Sequence, residues 1–525
     1  MKGLPIGIQT FSKLIERNYL YIDKTECIYN LIKGGGYYFL SRPRRFGKSL
    51  LVSTLKEIFS GSKELFKGLW IYDKIAWDAH PVIHIDFLGL SYAAREEMVD
   101  TLDYLVNRNA ENHGIELKEK GYDKRFRELI IKLSQRNKVV ALVDEYDKPI
   151  IDFVEDRETA LRNRDILKSF YSILKGMDEY LEFVFITGVS KFSKVSVFSD
   201  LNNLNDITMD EKYSVLLGYT QEELLRYFDR RLEGLAGKEK KEQWLEDIRA
   251  WYNGYSWDGK NFVYNPYSIL HLFKKGRFAN YWFESGSPSF LVKLIRKYNI
   301  DLPELEAYKA GEEVFSSFDI DRMHVVSLLF QTGYLTVKEV VPAGRRKRFY
   351  ILSYPNLEVK EAFLVYLLGD FSPKFADRIS VVADDLRAVL QAGDTGKFFE
   401  IVRSIFAQIP YDIFVQDREG YYQTVIYLLL KLIGINIHTE VETNIGRLDA
   451  VIETENIIYI LEFKLGTAEE ALEQIKEKKY YERYLGFAGE VKLIGVGFDV
   501  EQRNIAGYKI EGLPKAKSGL RRPTF

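Results

Sequence analysis

The sequence predicts an α/β fold, and three observations carry that prediction. Short apolar runs bounded by turn residues alternate with segments of helical periodicity through the first third of the chain. The apolar run in "VVALVDEYD" delivers two acids, Asp144 and Glu145, to its end, as a buried strand of a parallel sheet would. After a mainly helical middle, the last hundred residues return to a strand-rich pattern. A length of 525 residues exceeds what one hydrophobic core serves and points to two to four domains.

The elements follow in order. "YYFLS" (37–41) reads as a buried strand, and "LLVSTLKEIFSG" as a helix that stops at Gly61. The strands "PVIHIDF" (81–87), "KVVALVDEYD" (138–147) and "LEFVFITGVS" (181–190) come next, with helices between them. Residues 210–290 read as mainly helical around the aromatic segment "WYNGYSWDGKNFVYNPYSIL" (251–270). The aromatics of "WYNGYSW" (251–257) admit two readings, a packed helical core or a surface on which bases stack. Residues 300–410 read as helical with one hairpin, "YLTVKEVVPAGRRKRFYIL", whose Pro-Ala-Gly turn precedes Arg345, Arg346, Lys347 and Arg348. The C-terminal order is a helix ("EGYYQTVIYLLLKLIG"), three strands ("INIHTEVET", "GRLDAVIET", "NIIYILEFKLG"), a helix through 468–484 and the strand "VKLIGVGFD". The expected division is 1–210, 211–300, 301–409 and 410–515, with a basic tail over 516–525 that adds phosphate affinity.

Composition narrows the class. A formal charge of −2 gives no global basic field, so any nucleic-acid surface is local. Cys27 is the sole cysteine, which excludes an intramolecular disulfide and cysteine-based zinc fingers and fits a reducing cytoplasm. The opening "MKGLPIGIQTFSKLI" lacks the apolar core of a signal peptide, and the greasy stretch at 425–437 is too short for a bilayer. The expectation is a soluble cytoplasmic protein without membrane contact. The histidines (His80, His84, His113, His271, His324, His438) show no ligand spacing.

Two constellations carry chemistry. In "SRPRRFGKSLL", Gly47, Lys48 and Ser49 match the second half of the phosphate-loop pattern GxxxxGK[ST], while Arg42 stands where its first glycine belongs. Such a loop needs backbone N–H groups around phosphates, a lysine at the β/γ phosphates and a hydroxyl for Mg²⁺. A basic turn before a helix is the other reading. The strand-end pair favours the first: Asp144 suits the Mg²⁺ shell and Glu145 suits polarising the attacking water. Thr187 or Ser190, at the end of another strand, suits sensing the γ-phosphate or simple capping. Arg42, Arg44 and Arg45 suit phosphate contact, charge stabilisation towards a neighbouring subunit, or solvation of the loop.

The second constellation is Asp449, Glu462 and Lys464. Glu462 and Lys464 share a strand face, and pairing of the two strands through the "ETEN" turn (453–456) brings Asp449 to it. Two carboxylates there can hold Mg²⁺ for phosphodiester attack, with Lys464 orienting water. An internal salt bridge is the bland alternative.

The N-terminal run, with "LVDEYDKPI", "FITGVSKFSKVSVFSDLNNLNDIT", "WYNGYSW" and "YNPYSI", resembles the prokaryotic AAA-ATPase-like family over residues 3 to about 290. In that family the loop reads RPRRFGKS, so Arg42 belongs to its pattern. The resemblance implies a P-loop ATPase with a mostly parallel sheet, a strand inserted between the loop strand and the Asp-Glu strand, and a helical lid. It gives phosphate binding to Lys48, Mg²⁺ to Ser49 and Asp144, and the catalytic base to Glu145. Residues 410–515, through "FAQIPYDIF" and "NIGRLDAVIETENIIYILEFKLG", resemble a restriction-endonuclease-like PD-(D/E)XK module. Asp449, Glu462, Lys464 and the helical Gln474 match its motif, and Glu419 is a candidate upstream acid. Together these imply ATP and Mg²⁺ as cofactors, nucleic acid (DNA above RNA) as partner, and self-association through the ATPase domain. The first expectation is an ATP-controlled nuclease; the alternative is a nucleotide-dependent switch whose C-terminal module binds nucleic acid or a partner without cutting.

Overall fold

The computed structural model describes residues 1–191, 197–198, 201–283, 294–295, 300, 302–316, 324–343, 347–371, 378–408, 419–433, 436–442, 447–499 and 501–513. Arg345 and Arg346 of the hairpin turn, residues 409–418 and the tail 516–525 lie outside these, as does the side chain of Glu419. The chain divides into two compact units, one of residues 1–298 and 305–359 and one of 299–304 and 360–525.

The first unit is built on a five-stranded sheet: β1 (Gly36–Ser41), β2 (Val82–Asp86), β3 (Val139–Asp144), β4 (Leu181–Gly188) and β5 (Leu204–Asp206). All pairs are parallel and the order is β2-β3-β4-β1-β5. Every residue of β3 is buried, which is why its sequence is one apolar run and not an alternation. β4 lies between β1 and β3, the inserted strand expected. The pairs Ser41↔Gly188 and Val143↔Ile186 put the loops leaving β1, β3 and β4 at one edge of the sheet. β5 is three residues long, "LND", and offers no apolar run by which sequence could mark it.

Three helices follow, Gln221–Ala236, Lys241–Tyr252 and Pro266–Lys275. Thr220 and Glu223 form a capping box at the first, worth about 1 kcal/mol, and Asn265 caps the third through the N–H groups of Tyr267 and Ser268. Their core gathers Phe228, Ile248, Tyr252, Tyr264 and Tyr281. Tyr252, Tyr255 and Trp257 are buried, so these aromatics of "WYNGYSW" pack into a core. The expected hairpin is present as β7 (Thr336–Ala343) and β8 (Lys347–Ser353), and β6 (Tyr308–Ala310) pairs with β8 to make a third strand. These strands belong to the first unit, whereas the helices Ile379–Gln391 and Thr395–Phe406 belong to the second.

The second unit carries the helix Glu419–Ile433, β9 (Asn436–Glu442), β10 (Arg447–Glu453), β11 (Ile457–Leu465), the helix Ala468–Glu477 and β12 (Glu490–Asp499). That is the expected α-β-β-β-α-β order. A further strand, β13 (Asn504–Gly512), extends the sheet to β13-β12-β11-β10-β9. Most of β13 is exposed, so its sequence lacks the apolar pattern that marks the others. Only β11 and β12 pair in parallel. Val451, Ile460, Ile475 and Leu493 form the core beneath the helix. That helix sits directly on β12 because Gly495 and Gly497 lack side chains. A Cβ on Gly495 would lie 2.2 Å from the Ala468 carbonyl oxygen, and one on Gly497 2.4 Å from that of Gly466. Among the described residues no helix is long and apolar enough to cross a membrane.

Candidate functional site

The loop after β1 turns through two left-handed positions, Arg45 (φ 68°) and Gly47 (φ 94°), and opens the helix Lys48–Phe59. Gly47 takes that conformation without strain; Arg45 does so at a cost of about 1–2 kcal/mol. Gly47, Lys48 and Ser49 line a cleft of about 490 Å³, with Arg44, Arg45 and Glu145 also on its wall. Lys48 is buried, and its ammonium donates to the carbonyls of Arg42 (3.0 Å) and Pro43 (3.1 Å). Burial pulls its pKa below the ordinary lysine value, while Asp144, Glu145 and Asp147 oppose that shift.

Asp144 ends β3 behind Ser49, whose hydroxyl hydrogen-bonds its carboxylate. Burial pushes Asp144 up to about 6, against the pull of that bond and of Lys48. Glu145 follows with φ 51°, a conformation rare outside glycine, and its N–H donates to Asp144 Oδ1 at 3.1 Å. That turn aims Glu145 into the cleft, and burial raises its pKa too. Strain held at the residue that faces the cleft is what functional sites show.

Not every expected residue arrives there. Thr187 is fully buried, and its hydroxyl donates to the Leu40 carbonyl at 2.8 Å, which ties β4 to β1 and keeps it off the cleft wall. Ser190 is likewise committed: its N–H and hydroxyl donate to Asp147 Oδ2 at 2.6 and 2.7 Å. Asp147, which sequence reading passed over, thus fastens the end of β3 to the end of β4. Its signal was the second aspartate of "DEYD", three residues past Asp144.

Arg42 faces away from the cleft. Its guanidinium is fully buried and donates to the carbonyls of Ser41 (2.8 Å), Thr208 (2.9 Å) and Tyr213 (3.4 Å). It stacks 3.8 Å from the Trp257 ring centre. Burial pulls it down to about 9, so it stays cationic at neutral pH. Buried and spent on those carbonyls, Arg42 is an internal strut, turned from phosphate, from solvent and from any neighbouring subunit. Phe46 packs edge-on against Tyr255 and Trp257, joining the loop to the same aromatic segment. Arg44 and Arg45 are exposed at the cleft.

In the second unit β10 and β11 pair antiparallel with Ala450 opposite Leu461, the pairing expected through 453–456. Asp449 therefore lies beside Glu462. The Phe463 N–H donates to Asp449 Oδ2 at 2.8 Å, and the Asp449 N–H points at Glu462 Oε2 at 3.5 Å. Gln474, on the helix seated over β12, donates through Nε2 to Glu462 Oε1. Glu462 is buried and pushed up to about 8, first by burial and then by Asp449; Lys464 and Gln474 oppose that shift. Sequence reading missed Tyr480. It is buried, hydrogen-bonds Gln474 and feels both carboxylates, which together with burial raise its pKa. Tyr480 stands six residues beyond Gln474, and only the fold brings the two together.

The two arrangements have matches elsewhere. A family model described as a predicted AAA-ATPase matches residues 5–198, and one described as the PD-(D/E)XK nuclease superfamily matches residues 417–507. A protein of Azotobacter chroococcum mcd 1, "Uncharacterized protein in vnfD 5'region", is 40% identical over 523 residues, covering 98% of this chain and 99% of that one. No solved structure matches. A phosphate loop beside an Asp-Glu strand end in one unit, and Asp449, Glu462, Lys464 and Gln474 together in the other, place this chain in the predicted AAA-ATPase family with a C-terminal module of the PD-(D/E)XK nuclease superfamily.

Proposed function

We propose that the chain hydrolyses ATP in its first unit and cuts DNA with a Mg²⁺-dependent nuclease module in its second, under nucleotide control. One observation carries the reading: on a single chain, both sets of polar side chains that such chemistry needs converge, each in its own unit. In the first, Lys48 brings positive charge to the polyphosphate, and Glu145 holds and deprotonates the attacking water. Ser49 and Asp144 offer adjacent hard oxygen donors, the set that Mg²⁺ prefers.

In the second unit the fit to a cation rests on Glu462. Burial first, and the neighbouring Asp449 second, keep Glu462 protonated near neutral pH, and a divalent ion offsets both. Asp449 and Glu462 would hold Mg²⁺, which when bound polarises the scissile phosphate and acidifies water. Gln474 fixes the orientation of Glu462, and Lys464 offsets charge on the phosphate.

The reading is tested by measuring Mg²⁺-dependent ATP hydrolysis and plasmid cleavage with the same preparations. Lys48→Ala lowers ATP hydrolysis by about 100-fold or more, and Asp449→Ala lowers cleavage by a similar factor while leaving ATP hydrolysis in place. Normal hydrolysis by Lys48→Ala removes the ATPase assignment; normal cleavage by Asp449→Ala and Glu462→Ala removes the nuclease assignment.

A further inference from the structure

A nucleoside triphosphate brings three to four negative charges into the cleft, and the charged side chains there are unequally available to meet them. Arg42 is turned inward and spent on three carbonyls. Lys148 is paired with Asp152 at 2.8 Å. Asp147 is occupied by Val189 and Ser190. Glu145 adds a negative charge of its own to the wall. Lys48 alone does not balance a polyphosphate, and among the described residues the remaining cations on the wall are Arg44 and Arg45.

Of these two, Arg45 is the one the fold anchors. Its backbone is held at φ 68°, which swings the side chain out of the loop and over the face of Tyr267, 4.9 Å from the ring centre. Tyr267 lines the same cleft and stands in the first turn of the helix Pro266–Lys275. Tyr267 is half-buried, and a cation over such a face is held by about 0.5–2 kcal/mol, so the ring orients the guanidinium without neutralising it. A guanidinium so placed has a flat fork of donors left for phosphate oxygens, which a lysine lacks.

We propose that Arg45 is a second phosphate-binding cation of the nucleotide site, acting in cis on the polyphosphate chain, with Tyr267 as its positioning residue. The inference rests on the nucleotide reading of the cleft and goes beyond it by assigning the β/γ end of the ligand to Arg45. It also gives the loop's strained backbone a purpose: a relaxed conformation at position 45 would carry the guanidinium away from the ring.

The experiment is equilibrium binding of Mg-ATP, Mg-ADP and AMP to the full chain and to Arg45→Ala, Arg45→Lys, Tyr267→Leu and Tyr267→Phe, with thermal unfolding as the folding control. Arg45→Ala weakens Mg-ATP by about 10- to 100-fold, the worth of one charge-assisted contact, and leaves AMP within about 2-fold. Arg45→Lys recovers part of the loss. Tyr267→Leu weakens Mg-ATP less than Arg45→Ala does, and Tyr267→Phe, which keeps the ring, binds as the parent. Unchanged Mg-ATP affinity in Arg45→Ala, or equal losses for Mg-ATP and AMP, overturns the assignment while the nucleotide reading stands. Failure of the parent chain to bind any of the three overturns both.

Discussion

Arg42 shows how a residue whose place in the loop suits phosphate contact, charge stabilisation or solvation takes a structural part in the fold. Its three carbonyl partners and the Trp257 ring would all be left facing a cavity in Arg42→Ala. That variant loses about 2–4 kcal/mol of stability in the first unit, read by urea unfolding. Full stability with weakened ATP binding would return Arg42 to the phosphate. Lys338, on β7, gives a pH signature. Its ammonium donates to the Pro355 carbonyl at 2.6 Å, and burial pulls it down to about 8 from 10.5. Below about 8 it is charged in folded and unfolded chains alike, and the cost of its burial is fully present. Between about 8 and 10.5 the unfolded chain keeps the proton that the folded one has released. Stability therefore rises with pH there, by at most ~1.4 kcal/mol per unit. Lys338→Met removes that rise, seen as the difference between the two unfolding free-energy profiles; parallel profiles would contradict it.

At the scale of elements, legibility followed burial. β1, β3 and β4 were readable because strands buried on both faces are continuous apolar runs. β5 is too short and β13 too exposed to leave such a trace. Lys48, Ser49, Asp144 and Glu145 were readable because loop and strand-end chemistry is local in sequence. The placement of Thr187 was not, since the same strand end can aim a hydroxyl at the cleft or at the neighbouring strand. Asp147 and Tyr480 owe their positions to contacts with other elements and leave only faint local signals. The helix over β12 makes a prediction of its own. Gly495→Val drives side-chain carbons into the Ala468 carbonyl and lifts the helix that carries Gln474. It destabilises the second unit by about 2–3 kcal/mol and, where the unit still folds, lowers cleavage through the lost Gln474–Glu462 contact. A variant with parental unfolding and cleavage would show that the close approach is dispensable.

One chain carries two constellations of polar side chains, each completed within its own unit. Neither constellation depends on a long-range charge field, which fits a net charge of −2. The most direct measurement is cleavage of a supercoiled plasmid with Mg²⁺, with and without ATP, by the parent chain, Lys48→Ala and Asp449→Ala. The account predicts nicked and linear products from the parent, altered in rate by ATP, an ATP response lost in Lys48→Ala, and no products from Asp449→Ala. An intact plasmid in every lane of the parent chain, across nucleotide states, would contradict it.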